Sequence, residues 1–181
     1  MPMDAYASHI PILAGVASAV KGNILELGAG LYSTPLLHAL SGEERKIVSL
    51  DDTSYWIQKF NSYHTPYHTF HCENNLRECT LLTCIYWRLA FVDCTDAIRG
   101  VCVNKLKRHA DIIMIHDSQC METYNYGIII NEFKDRIDFS FPELKVNPED
   151  LIPWTSLLSD MVDLERFMTL APNAKRVKHG I

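Results

Sequence analysis

The sequence predicts an α/β fold: a mostly parallel sheet with helices on both faces. Three observations predict it. Short apolar stretches of strand length alternate with stretches of helical spacing from residue 24 to residue 115. Most of these strands end on a polar or acidic residue: Asp51, Asp93 and His116. The first strand also runs through two glycines straight into a helix start, the local order of a strand–turn–helix unit.

The elements follow in order. The apolar run from Ile10 to Val20 reads as a helix leading into the first strand, Ile24 to Leu27. A helix follows over Thr34 to Leu40, closed near Gly42, and then a second strand, Lys46 to Leu50, that ends at Asp51 and Asp52. Trp56 and Phe60 share one face of the next helix. His68 to Cys72 is the third strand, polar and aromatic rather than aliphatic. Leu89 to Val92 is the fourth, ending at Asp93. It is followed by a helix carrying Ile98, Cys102 and Leu106 at four-residue spacing, with basic Lys105, Lys107 and Arg108 at its end. Asp111 to Ile115 is the fifth, ending at His116 and Asp117. Then the rhythm changes. Ile137 to Phe141 and Thr155 to Leu158 have strand composition with no helix between them, only a loop through Pro142, Pro148 and Pro153, so an antiparallel pair should finish the sheet.

Composition narrows the function classes. At 181 residues the chain is expected to be one domain over 1–181, long enough to bury roughly 70% of the surface its unfolded form exposes. Hydrophobic content of 48% with 22% charged residues is that of a soluble globule, expected in the cytoplasm. The N-terminal apolar run follows Asp4 rather than a basic segment and is too short to span a bilayer, so no membrane association is expected. A net charge of -5 gives no electrostatic reason to expect nucleic acid, and the basic residues Lys175, Arg176 and Lys178 read as a solvated tail. The six cysteines contain no Cys-x-x-Cys pair, which disfavours a zinc site among them and favours reduced, mostly buried thiols.

The stretch from Asn23 to Pro35 carries the most chemistry. Gly28 and Gly30 permit a tight turn and leave no side chain between backbone and ligand, Ser33 is a good helix N-cap, and Pro35 fits a first helical turn. A side chain placed at Gly28 is expected to abolish ligand binding while leaving the fold largely intact. Dinucleotide sites aim bare amides at a pyrophosphate, but Glu26 sits two residues before the first glycine, and a carboxylate there repels phosphate and suits a cationic ligand. Glu26 with Gly28, Ala29 and Gly30 resembles the first motif of the class I S-adenosylmethionine-dependent methyltransferases, acidic-x-Gly-x-Gly-x-Gly, with Tyr32 where that family has its third glycine. The resemblance implies a three-layer Rossmann-like methyltransferase fold, a seven-stranded sheet of order 3-2-1-4-5-7-6, and S-adenosylmethionine as the cofactor, cradled by Glu26, Gly28, Ala29, Gly30 and Ser33.

In open α/β sheets ligands lie beyond the carboxyl ends of the strands. Asp51, about twenty residues past the turn, is placed to accept both ribose hydroxyls, with Asp52 its near-equal alternative. Tyr55 or Trp56 could lie against the adenine, and Glu73 could receive its amino group or simply belong to a turn with Asn74 and Asn75. Asp93, His116 and Asp117 stand at the ends of adjacent strands. They resemble the acidic ligands of magnesium-dependent O-methyltransferases, where Mg2+ or Mn2+ would hold the acceptor hydroxyl. The pattern departs in two places: Asp96 stands where that type has a Lys, and His116-Asp117 stands where it has an acidic residue and Asn. His116 could itself be the base, with Asp93 beside it. The competing reading is a structural His116 and a helix-capping Asp117.

The resulting expectation is an enzyme that methylates a hydroxyl of a small molecule or glycan. Its acceptor would be held by the loop from Pro142 to Pro153 or by a second subunit, in which case the assembly is a homodimer. Glu122 to Tyr126 is expected near the acceptor. Ser8 and His9 read as a lid or a solvated pair, and His38 as a surface or packed residue. The alternatives are an NAD(P)-dependent oxidoreductase and a non-catalytic binding protein on the same fold.

Overall fold

Neighbouring residues on a strand point to opposite faces of a sheet, and in β1 (Ile24–Leu27) that alternation sorts the whole architecture. A computed structural model of the chain describes residues 5–95, 97–144 and 152–178. Ile24 packs with α1 (Ile10–Ala19) and α2 (Ser33–Leu40) on one face. Leu25 and Leu27 pack on the other, with α4 (Leu81–Cys84) and α5 (Ile98–Leu106). Both faces of the sheet are therefore covered, which explains why its central strands read as nearly continuous apolar runs.

The sheet has eight strands in the order β3-β2-β1-β4-β5-β7-β6-β8. β2 (Ile47–Asp51), β3 (His68–Cys72), β4 (Trp87–Val92) and β5 (Ala110–His116) join β1 in parallel, and the short helix α3 (Ser54–Lys59) lies between β2 and β3 in the chain. β6 (Asp135–Ser140) and β7 (Trp154–Ser159) form the antiparallel pair, β7 inserted between β5 and β6. Seven strands thus take the expected order. β3 occupies the edge, which accounts for its polar composition: its last two residues are exposed.

An eighth strand replaces the expected solvated tail. β8 (Ala174–Lys178) pairs antiparallel with β6, Arg176 lying opposite Ile137. Arg176 donates to both carboxylate oxygens of buried Asp135 and is also paired with Asp163 and Glu165. A charged edge strand has no apolar alternation to read, so its composition looks like that of a tail.

The middle of the proline-containing loop, residues 145–151, lies outside the described residues, as does Asp96. Among the described residues no helix is long and apolar enough to cross a membrane. All six cysteines are free.

Candidate active site

The end of β1 becomes a turn because Gly28 adopts φ +94°, a conformation that L side chains rarely take. Its freedom serves a close approach to β4: an added Cβ would lie 2.3 Å from the Asp93 carbonyl oxygen and 2.8 Å from the Cys94 nitrogen. The expectation that a side chain here would spare the fold is therefore corrected. Gly28 is squeezed between strand ends as well as facing a ligand. At Gly30 the same test meets only Ser33 Oγ, at 3.3 Å.

The helix after the turn begins at Ser33 itself, with Tyr32 in the cap position and no capping side chain. Thr34 takes over the binding of the loop: the Gly30 amide donates to Thr34 Oγ1 at 2.9 Å, and that hydroxyl donates on to Glu26. Glu26 is fully buried under α2, because β1 alternation turns it to the same face as Ile24. Ser49 also donates to it, and Ser49 is in turn 2.8 Å from His68 Nε2. His68 Nδ1 lies 3.3 Å from His38 Nδ1, and the His38 ring stacks on Tyr63, so His38 is packed. Burial pushes the Glu26 carboxyl up to about 7, against the hydrogen bonds from Ser33, Ser49 and Thr34 that favour its anion. Glu26 thus braces the turn from beneath rather than lining the cavity above it.

That bracing has a pH signature. With a folded value near 7 and an ordinary value of 4.5, folded Glu26 keeps a proton that the unfolded chain has released, so its contribution to stability falls as pH rises from 4.5 to 7. His9 and His68, both pushed by burial down to about 3, act in the opposite direction: stability falls as pH drops below 6.5. Comparing wild type with Glu26→Gln subtracts the histidines. Urea unfolding should show the variant gaining roughly 3 kcal/mol relative to wild type between pH 4.5 and 7. A constant difference would mean that Glu26 ionises normally.

Above the turn lies a cavity of about 540 Å³. Gly28, Ala29, Gly30, Ser33, Asp51 and Asp52 line one part of it, and Asp93, His116 and Asp117 line another. Trp56 is on its wall and Tyr55 is not; Glu73 is not either, its carboxylate accepting the Asn75 amide at 3.2 Å. Asp51 braces the turn as well: Oδ2 accepts the Ala29 amide at 3.0 Å, and Oδ1 accepts the Thr53 amide and hydroxyl at 2.9 and 2.7 Å. Burial raises its carboxyl despite these bonds. Asp52, half-buried, accepts the Thr95 hydroxyl.

The far end of the cavity holds a polar cluster that sequence reasoning saw only in part. Asp93 and His116 end adjacent strands on the α1 face, with His116 Nδ1 3.2 Å from Asp93 Oδ2 and 3.5 Å from Asp117 Oδ2. Ser8 and His9 are not a solvated pair: both are buried, Ser8 Oγ lies 3.0 Å from His116 Nε2, and the His9 ring meets His116 edge-on at 4.6 Å. Burial lowers the basicity of His116, but the Asp93 carboxylate beside it outweighs that and its value ends above the ordinary one. Desolvation of Asp93 is likewise overcome by His116 and Arg99, so its carboxyl ends below the ordinary value.

Arg99 is the residue that sequence reasoning missed. It is the second residue of α5, with its guanidinium 2.9 Å from Asp93 Oδ1 and 3.8 Å from Asp117 Oδ2. It also bonds to the Cys94 and His116 carbonyls and stacks on Tyr124 at 4.0 Å. The buried residues of α5 are Arg99, Gly100, Cys102, Val103 and Leu106, so the signal was an arginine three residues from Cys102 on the apolar side. Tyr124, in the segment expected near the acceptor, does line the cavity.

The donor set does not fit Mg2+. The donors gathered here are the imidazoles of His9 and His116 beside the Asp93 carboxylate, whereas Mg2+ demands a near-octahedral shell of oxygens.

No protein-family model and no curated protein matches the chain. Solved structures do. An rRNA methylase from Streptococcus thermophilus aligns with TM-score 0.60 at 13% identity, over 90% of this chain and 99% of that one. An O-methyltransferase from Bacillus cereus in complex with SAH aligns with TM-score 0.61 at 12% identity, over 82% and 78%. The O-methyltransferase TomG from Streptomyces achromogenes, in complex with SAM, aligns with TM-score 0.57 at 9% identity, over 82% and 77%. The chain therefore has the three-layer Rossmann-like fold of the class I S-adenosylmethionine-dependent methyltransferases, extended by β8. These neighbours differ in acceptor, so the fold does not choose between nucleic acid and a small molecule.

Proposed function

We propose that the protein transfers a methyl group from S-adenosylmethionine to a hydroxyl oxygen of a small molecule or sugar. One observation carries the reading: a single cavity runs from the glycine turn to the buried imidazoles, and four carboxylates, Asp51, Asp52, Asp93 and Asp117, line it against the guanidinium of Arg99. Such a wall attracts a sulfonium and an ammonium and repels the pyrophosphate of a dinucleotide. The ribose lies at Asp51 and Asp52, the adenine beside Trp56, and the methyl points toward His9, Asp93 and His116. There the acceptor oxygen forms its bond to the methyl carbon as the carbon–sulfur bond breaks. The sulfonium becomes a neutral thioether, and the hydroxyl proton passes to the imidazole–carboxylate cluster. Holding both partners in one cavity is the main source of acceleration, on the order of 7 kcal/mol for a well-oriented pair. The net negative charge of this chain and its acidic cavity favour a small acceptor over a nucleic acid.

Isothermal titration separates the readings. S-adenosylmethionine and S-adenosylhomocysteine should bind and NAD+ should not, and Asp51→Ala should weaken donor binding roughly 10- to 100-fold, the equivalent of hydrogen bonds to a charged group. Binding of NAD+ alone would establish the oxidoreductase alternative. Donor binding without transfer of labelled methyl to any of a panel of hydroxylated acceptors would establish the non-catalytic one.

A further inference from the structure

We propose that His9, Asp93 and His116 form a binding site for a borderline transition-metal dication of the Zn2+ or Co2+ class. One ligand atom from each of the three lies within 4.8 Å of the others. His9 supplies the observation that points to a ligand: it is 97% buried and lines the cavity, yet neither ring nitrogen has a hydrogen-bond partner among the described residues. A buried imidazole with both nitrogens unsatisfied is costly unless something occupies one of them.

The other two ligands are already oriented. His116 Nδ1 and Asp93 Oδ2 are 3.2 Å apart, the spacing of about 3 to 3.5 Å expected of two donors each roughly 2.1 Å from one tetrahedral ion. Their outward atoms are held by other groups, His116 Nε2 by Ser8 at 3.0 Å and Asp93 Oδ1 by Arg99 at 2.9 Å. Such outer partners fix the tautomer and orientation of metal ligands. The ion takes the place of the proton on His116 Nδ1. Charge permits it, since Asp93 and Asp117 together outweigh the Arg99 guanidinium by one unit.

Two imidazoles and one carboxylate select a borderline ion over Mg2+. Three protein donors leave a coordination position open, as in catalytic rather than structural zinc sites. An ion there would hold the oxygen of an acceptor and stabilise its anion. The inference stands on these three side chains and does not require methyl transfer.

Zn2+ titrated calorimetrically into the whole protein should bind at one equivalent, and Co2+ should give the visible absorption of a low-symmetry site. His9→Ala should weaken Zn2+ at least ~100-fold and abolish the Co2+ band, and Ser8→Ala should weaken it ~10- to 100-fold. Mg2+ should not compete. His9→Gln, which keeps the ring's approximate volume, repeats the measurement should the alanine variant fail to fold. Absence of Zn2+ binding, or Zn2+ binding unchanged in both His9 variants, would overturn the site. S-adenosylmethionine titrated separately reports on the methyl-donor reading, so either assignment can fail without the other.

Discussion

Asp93→Ala should cost the fold about 3 kcal/mol, read as a shift in the urea midpoint at constant slope. Asp93 balances two buried groups at once, Arg99 at 2.9 Å and His116 at 3.2 Å, and its removal leaves a guanidinium that is 9% exposed with Asp117 at 3.8 Å as its nearest remaining carboxylate. Breaking a buried pair on one side costs ~3 to 5 kcal/mol, because the surviving charge keeps its desolvation penalty and loses its partner. The low end applies because Asp93 opens onto the cavity, with 23% of its side chain exposed, so water reaches the space it vacates. The double variant Asp93→Ala, Arg99→Met tests the cause: it should be more stable than Asp93→Ala alone. If it is less stable, the loss comes from packing and the electrostatic account is wrong.

Gly28→Ala should be at least as damaging, above ~3 kcal/mol, and should also weaken S-adenosylmethionine binding tenfold or more. Two costs combine. A non-glycine residue at φ +94° carries ~1 to 3 kcal/mol of backbone strain, and its Cβ would sit 2.3 Å from the Asp93 carbonyl oxygen. The obstacle is backbone and cannot rotate away, so the end of β4 must move, and Asp93 moves with it. Gly30→Ala is the control: its Cβ meets only Ser33 Oγ at 3.3 Å, and it should cost less than ~1 kcal/mol. Equal losses at the two positions in unfolding and titration would show that the turn, rather than its contact with β4, sets the requirement for glycine.

The candidate site was legible in the sequence where a residue's role follows from its place at a strand end. Asp51, Asp52, Asp93, His116 and Asp117 all line the cavity, because every parallel strand delivers its last residue to the same edge of the sheet. Glu26 was legible as part of the turn, but which way it points depends on the parity of β1, and that parity places it under α2 with Thr34 and Ser49. His9 and Ser8 gave no signal of burial. They precede α1 and themselves lie against the ends of β4 and β5, at Phe91 and His116, and nothing local in Ser8-His9 distinguishes a lid from a packed pair.

The sequence by itself determined where seven strands, most of the helices between them and the glycine turn lie along the chain, since these rest on local spacing, namely apolar periodicity, strand length and the special backbone of glycine, while the order of the strands in the sheet followed from the family resemblance. Only the tertiary structure decided that Arg99 anchors Asp93, that His9 meets His116 across about a hundred residues of chain, and that the basic segment at Arg176 closes the sheet as β8. Those are contacts between charged or polar groups far apart in sequence. They form because burial leaves each such group in need of a partner, and which partner it finds is set by how the layers pack.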